Sequence, residues 1–248
     1  MKYYSFTDKG KIRDTNQDSL VCAHNKKTDF LAVVSDGIGG HKAGDIASLK
    51  IINYLAKEFS ANEGFEDDYA VFNFIKSSMA KINQIIYRLA QNNQDYQGMG
   101  ATVTGLIFTK MGIYWLNVGD SRTYAFKKHQ LKQLTTDHTL VNELLKSKLI
   151  TADEALVHPK RHHITKAIGI WEQVDIDYGK LEEVAEYYLV CSDGLYGYVD
   201  DFKIASIIDS NKINTLEKAK TLMNTALDNG GGDNISIILI KTDEVEDE

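Results

Sequence analysis

Apolar runs separated by polar, glycine-bearing turns recur along the chain. The run Leu31-Ala32-Val33-Val34 stops at Ser35-Asp36, and the glycine-rich turn Gly37-Ile38-Gly39-Gly40 follows. A short apolar run bounded in this way predicts a buried strand, here over Asp29–Asp36. Similar runs predict strands over Lys2–Phe6, Ser19–Ala23, Tyr187–Ser192 and Ile235–Ile240. Thr102–Thr109, Gly112–Val118, Arg122–Phe126 and Gln130–Leu134 are joined by tight turns and predict a meander, hence antiparallel pairing. Two longer segments carry helical periodicity, Gly44–Phe59 and Asp67–Gln91. In the second, Phe72, Ile75, Met79, Ile82, Ile86 and Leu89 fall at steps of three and four and form one core stripe. Shorter helices are expected over Thr139–Lys148, Ala152–His158, Lys203–Asp209 and Thr215–Leu227. Early, central and final strand groups with helices between them predict an α+β fold of two packed sheets covered by helices.

Composition adds bounds. Hydrophobic residues are 43% and charged residues 25% of 248, enough apolar material for a sizeable core. The single proline, Pro159, leaves no proline-rich linker, so residues 1–242 read as one domain with an acidic tail at 243–248. With 28 Lys and Arg against 35 Asp and Glu, the net charge of −7 argues against a nucleic-acid partner. No apolar run reaches the roughly 18 residues of a membrane span, and Met1-Lys2-Tyr3-Tyr4 lacks the apolar core of a signal peptide. Cys22 and Cys191 sit in strand-like apolar runs and read as buried thiols of a reducing, cytoplasmic compartment. The expected state is a monomer.

The candidate chemistry lies at the strand edges. Leu189-Val190-Cys191-Ser192-Asp193-Gly194 repeats the strand-Ser-Asp-Gly pattern, and Gly232-Asp233-Asn234 places a third aspartate just before the last strand. Each alone is an ordinary aspartate turn. Together, Asp36, Asp193 and Asp233 suggest one site of hard oxygen ligands suited to Mg²⁺ or Mn²⁺. Crowded carboxylates repel one another, and cations relieve this. Two metals sharing a bridging carboxylate could lower the pKa of a water between them for attack on phosphorus. Arg13, in the polar loop before the second strand, is a candidate for gripping phosphate oxygens, although the loop also reads as a solvated connector. Asp120, in the turn Gly119-Asp120-Ser121, reads equally as a ligand or as a hairpin aspartate bonded to local backbone. His162-His163 is a poor metal pair, because adjacent extended residues point opposite ways.

Several motifs occur in order: Arg13-x-x-Asn16-Gln17-Asp18, Asp36-Gly37-x-Gly39-Gly40-His41-x-Ala43-Gly44, Gly100-Ala101-Thr102, Asn117-Val118-Gly119-Asp120-Ser121-Arg122, Thr136-Asp137-His138-Thr139, Ser192-Asp193-Gly194 and Gly232-Asp233-Asn234. This series, spanning about Phe6 to Ile240, resembles the metal-dependent protein phosphatases of the PP2C family in their short bacterial form. The resemblance implies a four-layer αββα sandwich, two antiparallel sheets flanked by antiparallel helix pairs. It also implies a centre of two Mn²⁺ or Mg²⁺ ions, with Asp36 bridging them and the Gly37 carbonyl on the second ion. Asp193 and Asp233 complete the first, and Asp120 shares a third, weaker ion with Asp193. By the same resemblance Asp18 orients water, Arg13 binds phosphate, and about 139–168 forms a flap. The implied activity is hydrolysis of phosphoserine and phosphothreonine on proteins, reversing a bacterial serine/threonine kinase. The rival readings are a catalytically silent phosphoprotein scaffold and a phosphatase for small phosphomonoesters. Departures are Ile38, where animal members carry a histidine and bacterial ones commonly methionine, and Lys148, where the flap helix often ends in glycine. His41 lies near that first position, but its place in the motif differs, so the acid role is not carried over to it.

Overall fold

The computed structural model describes residues 1–39 and 43–243. Its strands are β1 (Lys2–Asp8), β2 (Asp18–His24), β3 (Phe30–Ile38), β4 (Gly100–Ala101), β5 (Val103–Thr109), β6 (Gly112–Val118), β7 (Arg122–Lys127), β8 (Gln130–Gln133), β9 (Asp177–Lys180), β10 (Tyr187–Cys191) and β11 (Ile235–Lys241). The helices are α1 (Gly44–Ala61), α2 (Asp68–Asn92), α3 (Leu140–Lys146), α4 (Ala152–Val157), α5 (Asp193–Tyr196), α6 (Asp201–Asp209) and α7 (Thr215–Asp228), with a 3₁₀ turn at Gln94–Tyr96.

These strands make two antiparallel sheets. One runs β1-β11-β10-β7-β8; the other runs β2-β3-β5-β6-β9, with β4 added on β3. Three apolar layers hold the stack together, as burial of two-sided sheets requires. Phe30, Ala32, Val34, Tyr188, Val190, Ile238 and Ile240 interleave between the sheets. Leu31 and Val33, on the other face of β3, pack with Ile51, Leu55, Ile75, Met79 and Ile82 of α1 and α2. Leu189, Ile237 and Leu239 pack with Ile204, Leu222 and Ala226 of α6 and α7. Strands buried on both faces explain why β3 and β11 read as continuous apolar runs rather than alternating ones.

Several details differ from the sequence expectation. The buried stripe of α2 is centred on Val71, Ile75, Met79, Ile82 and Ile86, leaving Phe72 and Leu89 only partly buried beside it. Cys191 is buried, whereas Cys22 is half-buried; both are free thiols. Strand β3 continues two residues past Asp36, because β4 pairs with Gly37 and Ile38. Strand β9 carries the pattern Asp-Tyr-Gly-Lys, too short and polar to be seen as a strand.

The α3 end needs a left-handed residue, and Lys148 supplies it with φ +56°. The Lys148 and Leu149 amides donate to the Leu145 and Leu144 carbonyls, both at 2.9 Å, the paired closure of a Schellman motif. The segment between the two ends of 139–168 is fastened at its base by an antiparallel bridge from Thr139 to Ile164 and another from Ala101 to Ile168.

Candidate metal and phosphate site

The inter-sheet packing brings one end of β2, β3, β10 and β11 together, and the candidate carboxylates sit there. Asp18 opens β2 and stands directly opposite Asp36 on β3. Like charges in a cross-strand pair destabilise a sheet, so this register is costly unless positive charge joins it. Asp193 follows β10 at the first turn of α5, and Asp233 lies just before β11. Gly37 must be glycine: a Cβ there would meet the Gly44 carbonyl oxygen at 2.2 Å and the Gln17 oxygen at 2.7 Å. That close approach threads the first loop, β3 and the start of α1 past one another.

Hydrogen bonds set the positions of these groups. The Ser192 hydroxyl donates to Asp18 Oδ2 at 2.7 Å and accepts from the Ser236 amide at 2.9 Å, bridging the two sheets through a carboxylate. The Asp36 amide donates to Thr102 Oγ1 at 2.9 Å, and Thr102 Oγ1 lies 2.7 Å from Ser121 Oγ. Asn234 accepts from the Gln17 amide at 2.8 Å and donates to the Lys9 and Thr15 carbonyls, holding the Arg13 loop against β11. Arg13 Nη2 reaches Asp233 Oδ2 at 2.9 Å. The structure therefore brings together Arg13, Asp18, Asp36, Gly37, Asp193 and Asp233, with Asp120 beside them.

Electrostatics mark the cluster as strained. Burial, then the Asp193 and Asp233 charges, push the Asp18 carboxyl up to about 7 against hydrogen bonds from Ser192 and Ser236. Asp120 is pushed up to about 7, first by burial and then by Asp193 and Asp137. Asp36 stands well above the usual carboxylate range, through burial and the charges of Asp18, Asp193, Asp120 and Asp233. Asp193 is raised by burial and Asp233, opposed by a hydrogen bond with Asp36. The hydrogen bond and charge of Asp233 raise Arg13. Asp36 and Asp193 are partly rather than fully buried, whereas Asp18 and Asp120 are buried.

The donor set fits hard divalent cations. Buried Oδ1 atoms of Asp18, Asp120 and Asp193 have no hydrogen-bond partner, and mutually repelling carboxylates with spare lone pairs are what a cation would satisfy. Among the described residues no three His, Cys, Asp or Glu side chains surround a single point as a finished cage. Mg²⁺-type ions do not require one, since they keep several waters and use one or two carboxylates. His41 lies outside the described residues. His162 falls in the turn after α4, and its effect on Asp193 ranks behind those of burial, Asp233 and Asp36.

The supporting residues fall within the quoted motifs, but the sequence reading gave them no role. Ser192, Thr102, Ser121 and Asn234 act across separations as large as 225 positions, and no local periodicity encodes such a contact. For Ser192, Ser121 and Asn234 the cue was adjacency to a candidate aspartate, and for Thr102 it was the motif Gly100-Ala101-Thr102.

Residues 11–229 match the family model described as Protein phosphatase 2C. The serine/threonine phosphatase stp of Listeria monocytogenes is 32% identical over 238 residues, covering 96% of this chain and 94% of the relative. Protein phosphatase PhpP of Streptococcus pneumoniae is 33% identical over 249 residues, covering 100% of both. Among solved structures, the serine/threonine phosphatase Stp1 of Staphylococcus aureus superposes with a TM-score of 0.91 at 35% identity, covering 98% of this chain and 95% of that one. The Mycobacterium tuberculosis phosphatase PstP/Ppp gives 0.84 at 30% identity, covering 98% and 99%.

Proposed function

The chain belongs to the protein phosphatase 2C family, and from that premise we propose that it hydrolyses phosphoserine and phosphothreonine on proteins, with Mn²⁺ or Mg²⁺ as resident cofactors. The observation that carries the reading is the convergence of aspartates from the ends of β2, β3, β10 and β11, with Arg13 against them and buried carboxylate oxygens lacking partners. Asp36, the Gly37 carbonyl, Asp193 and Asp233 are the residues that would hold two ions, and Asp120 with Asp193 a third, weaker one. Bound divalent cations supply Lewis acidity and lower the pKa of the attacking water.

The chain's own groups do the rest. Asp18, held from below by Ser192, presents its second oxygen as an acceptor that can fix the direction of a water O–H. Arg13 uses Nη2 on Asp233, and its planar fork carries further N–H donors suited to two oxygens of a phosphate. Its side chain is 53% exposed, so it can turn toward a substrate without breaking the core. We read residues 139–168 as a flap beside the cleft, anchored at both ends by the bridges at Thr139 and Ile168. No helix among the described residues is long and apolar enough to cross a membrane. A cytoplasmic monomer opposing a serine/threonine kinase is the setting that we assign.

A catalytically silent scaffold is disfavoured by the converging aspartates, since binding alone does not need crowded carboxylates. The test is phosphate release from a phosphothreonine peptide with Mn²⁺ and with chelator. Release that requires Mn²⁺ is expected; peptide binding without release would establish the scaffold instead.

A further inference from the structure

Of the motif Thr136-Asp137-His138-Thr139 only the Asp137 charge has entered the site so far, yet its histidine is built into the turn that carries Asp120. Gly119 occupies the left-handed region at φ +104° between β6 and β7. Its amide donates to His138 Nδ1 at 3.0 Å, and its carbonyl accepts from the His138 amide at 3.0 Å. His138 therefore grips both backbone groups of the residue before Asp120. Because Nδ1 accepts, the ring proton sits on Nε2, which faces Asp177 Oδ2 at 3.1 Å. Asp177 reaches that place because β9 adds to the edge of β6, setting Asp177 opposite Asn117. The far side of the turn is held as well: Tyr196 OH donates to the Asp120 carbonyl at 2.9 Å. Backbone is fixed on both sides, while the buried Asp120 Oδ1 has no partner. Rigid backbone around an unpaired carboxylate oxygen is the arrangement of a ligand that is aimed before its cation arrives.

We propose that His138, oriented by Asp177, is a positioning residue that aims the Asp120 carboxylate at the weaker, third divalent cation. It rests on the reading of Asp120 as a ligand of that cation. His138 also begins the 139–168 segment: its carbonyl accepts from the Thr165 amide at 2.8 Å, and Leu140 donates to the His163 carbonyl. The same residue thus ties the base of that segment to the Asp120 turn. Ordering at the third cation and ordering of the segment should be coupled through His138.

Calorimetric titration of the full chain with Mn²⁺ tests this, with hydrogen exchange over residues 139–168 as a second readout. Asp120→Ala should lose the weak binding phase and keep the tight one. His138→Leu and Asp177→Ala should weaken only the weak phase, by about 10-fold, the lower end for outer-sphere partners of a metal ligand. His138→Asn, whose Oδ1 can accept from the Gly119 amide, should recover most of that loss. Exchange in 139–168 should be slowed by saturating Mn²⁺ in the wild type and much less in His138→Leu. If Asp120→Ala keeps the weak phase, the reading of Asp120 falls and this proposal with it. If Asp120→Ala loses that phase while His138→Leu and Asp177→Ala bind as the wild type does, only the proposal is overturned. Equal weakening of both phases would also overturn it, as general damage rather than positioning. Should His138→Leu not fold, Asp177→Ala decides, since Asp177 is 36% exposed and its removal leaves no core cavity.

Discussion

At the scale of single residues, Asp36 and Arg13 make opposite demands of the same experiment. Asp36 sits among four other carboxylates that raise its pKa, so it is the group through which cation charge is most strongly felt. Arg13 is itself cationic and half-exposed, and it neutralises Asp233. Asp36→Ala should therefore abolish turnover and the tight Mn²⁺ phase together. Arg13→Ala should lower kcat/KM by about 10- to 100-fold, the worth of one charge-assisted hydrogen bond. Its Mn²⁺ affinity should be unchanged or higher, because Asp233 is freed. Calorimetry beside steady-state kinetics separates the two, and a large loss of Mn²⁺ affinity in Arg13→Ala would remove its assignment to phosphate.

At the scale of elements, local pattern carried much and long-range contact carried none. Strand β6 lies where its apolar run puts it, Gly112–Val118, and α1, α2 and α7 differ from expectation only by a few terminal residues. Burial on a defined face writes itself into periodicity. Strand β9 does not, because four residues with one core-packing side chain, Tyr178, are too few to show a period. The two-residue β4 is similarly invisible, although it pairs Gly37 on one side and reaches Ile168 on the other. For the site, the aspartates were legible because each stands at the edge of an apolar run, whereas His138–Asp177 depends on β9 and could not be read. Lys148 illustrates the middle case. The motif said that glycine belongs there, and the backbone adopts the glycine conformation with lysine in place. A left-handed conformation costs a side-chain-bearing residue about 1–2 kcal/mol, and the greater freedom of unfolded glycine offsets roughly 0.4–1 kcal/mol of any gain. Lys148→Gly should stabilise the end of α3 by about 1 kcal/mol or less, seen as slower exchange of the Lys148 and Leu149 amides. Faster exchange there would show that the lysine side chain contributes contacts that outweigh its strain.

At the scale of the whole molecule, the sandwich concentrates negative charge where its two sheets are joined. The link Asp18–Ser192–Ser236 is at once an inter-sheet fastening and part of the carboxylate cluster. Stability and cation binding are thus coupled, and pH exposes the coupling. Asp18 titrates near 3.8 when unfolded and at about 7 when folded. Between those values the folded carboxyl holds a proton that the unfolded one has shed, so its contribution to stability falls as pH rises and is flat above about 7. Asp120 contributes in the same direction over the same window. His138 opposes them, since burial, only partly offset by Asp177, holds its pKa below the ordinary value; a group that resists protonation when folded adds stability as pH rises. The carboxylate contribution is therefore read as a difference between the wild type and Asp18→Asn, which cannot titrate. In chelator, Asp18→Asn should gain thermal stability relative to the wild type as pH rises from about 4 to about 7, and the gap should then stay constant. With saturating Mn²⁺ at pH 7.5 the gap should shrink or reverse, because cation charge replaces the missing proton. Thermal melts across pH with and without Mn²⁺ measure both quantities. A gap that is independent of pH in chelator would mean that neither burial nor neighbouring charge disfavours the Asp18 carboxylate, and that the cluster does not need a cation to relieve it.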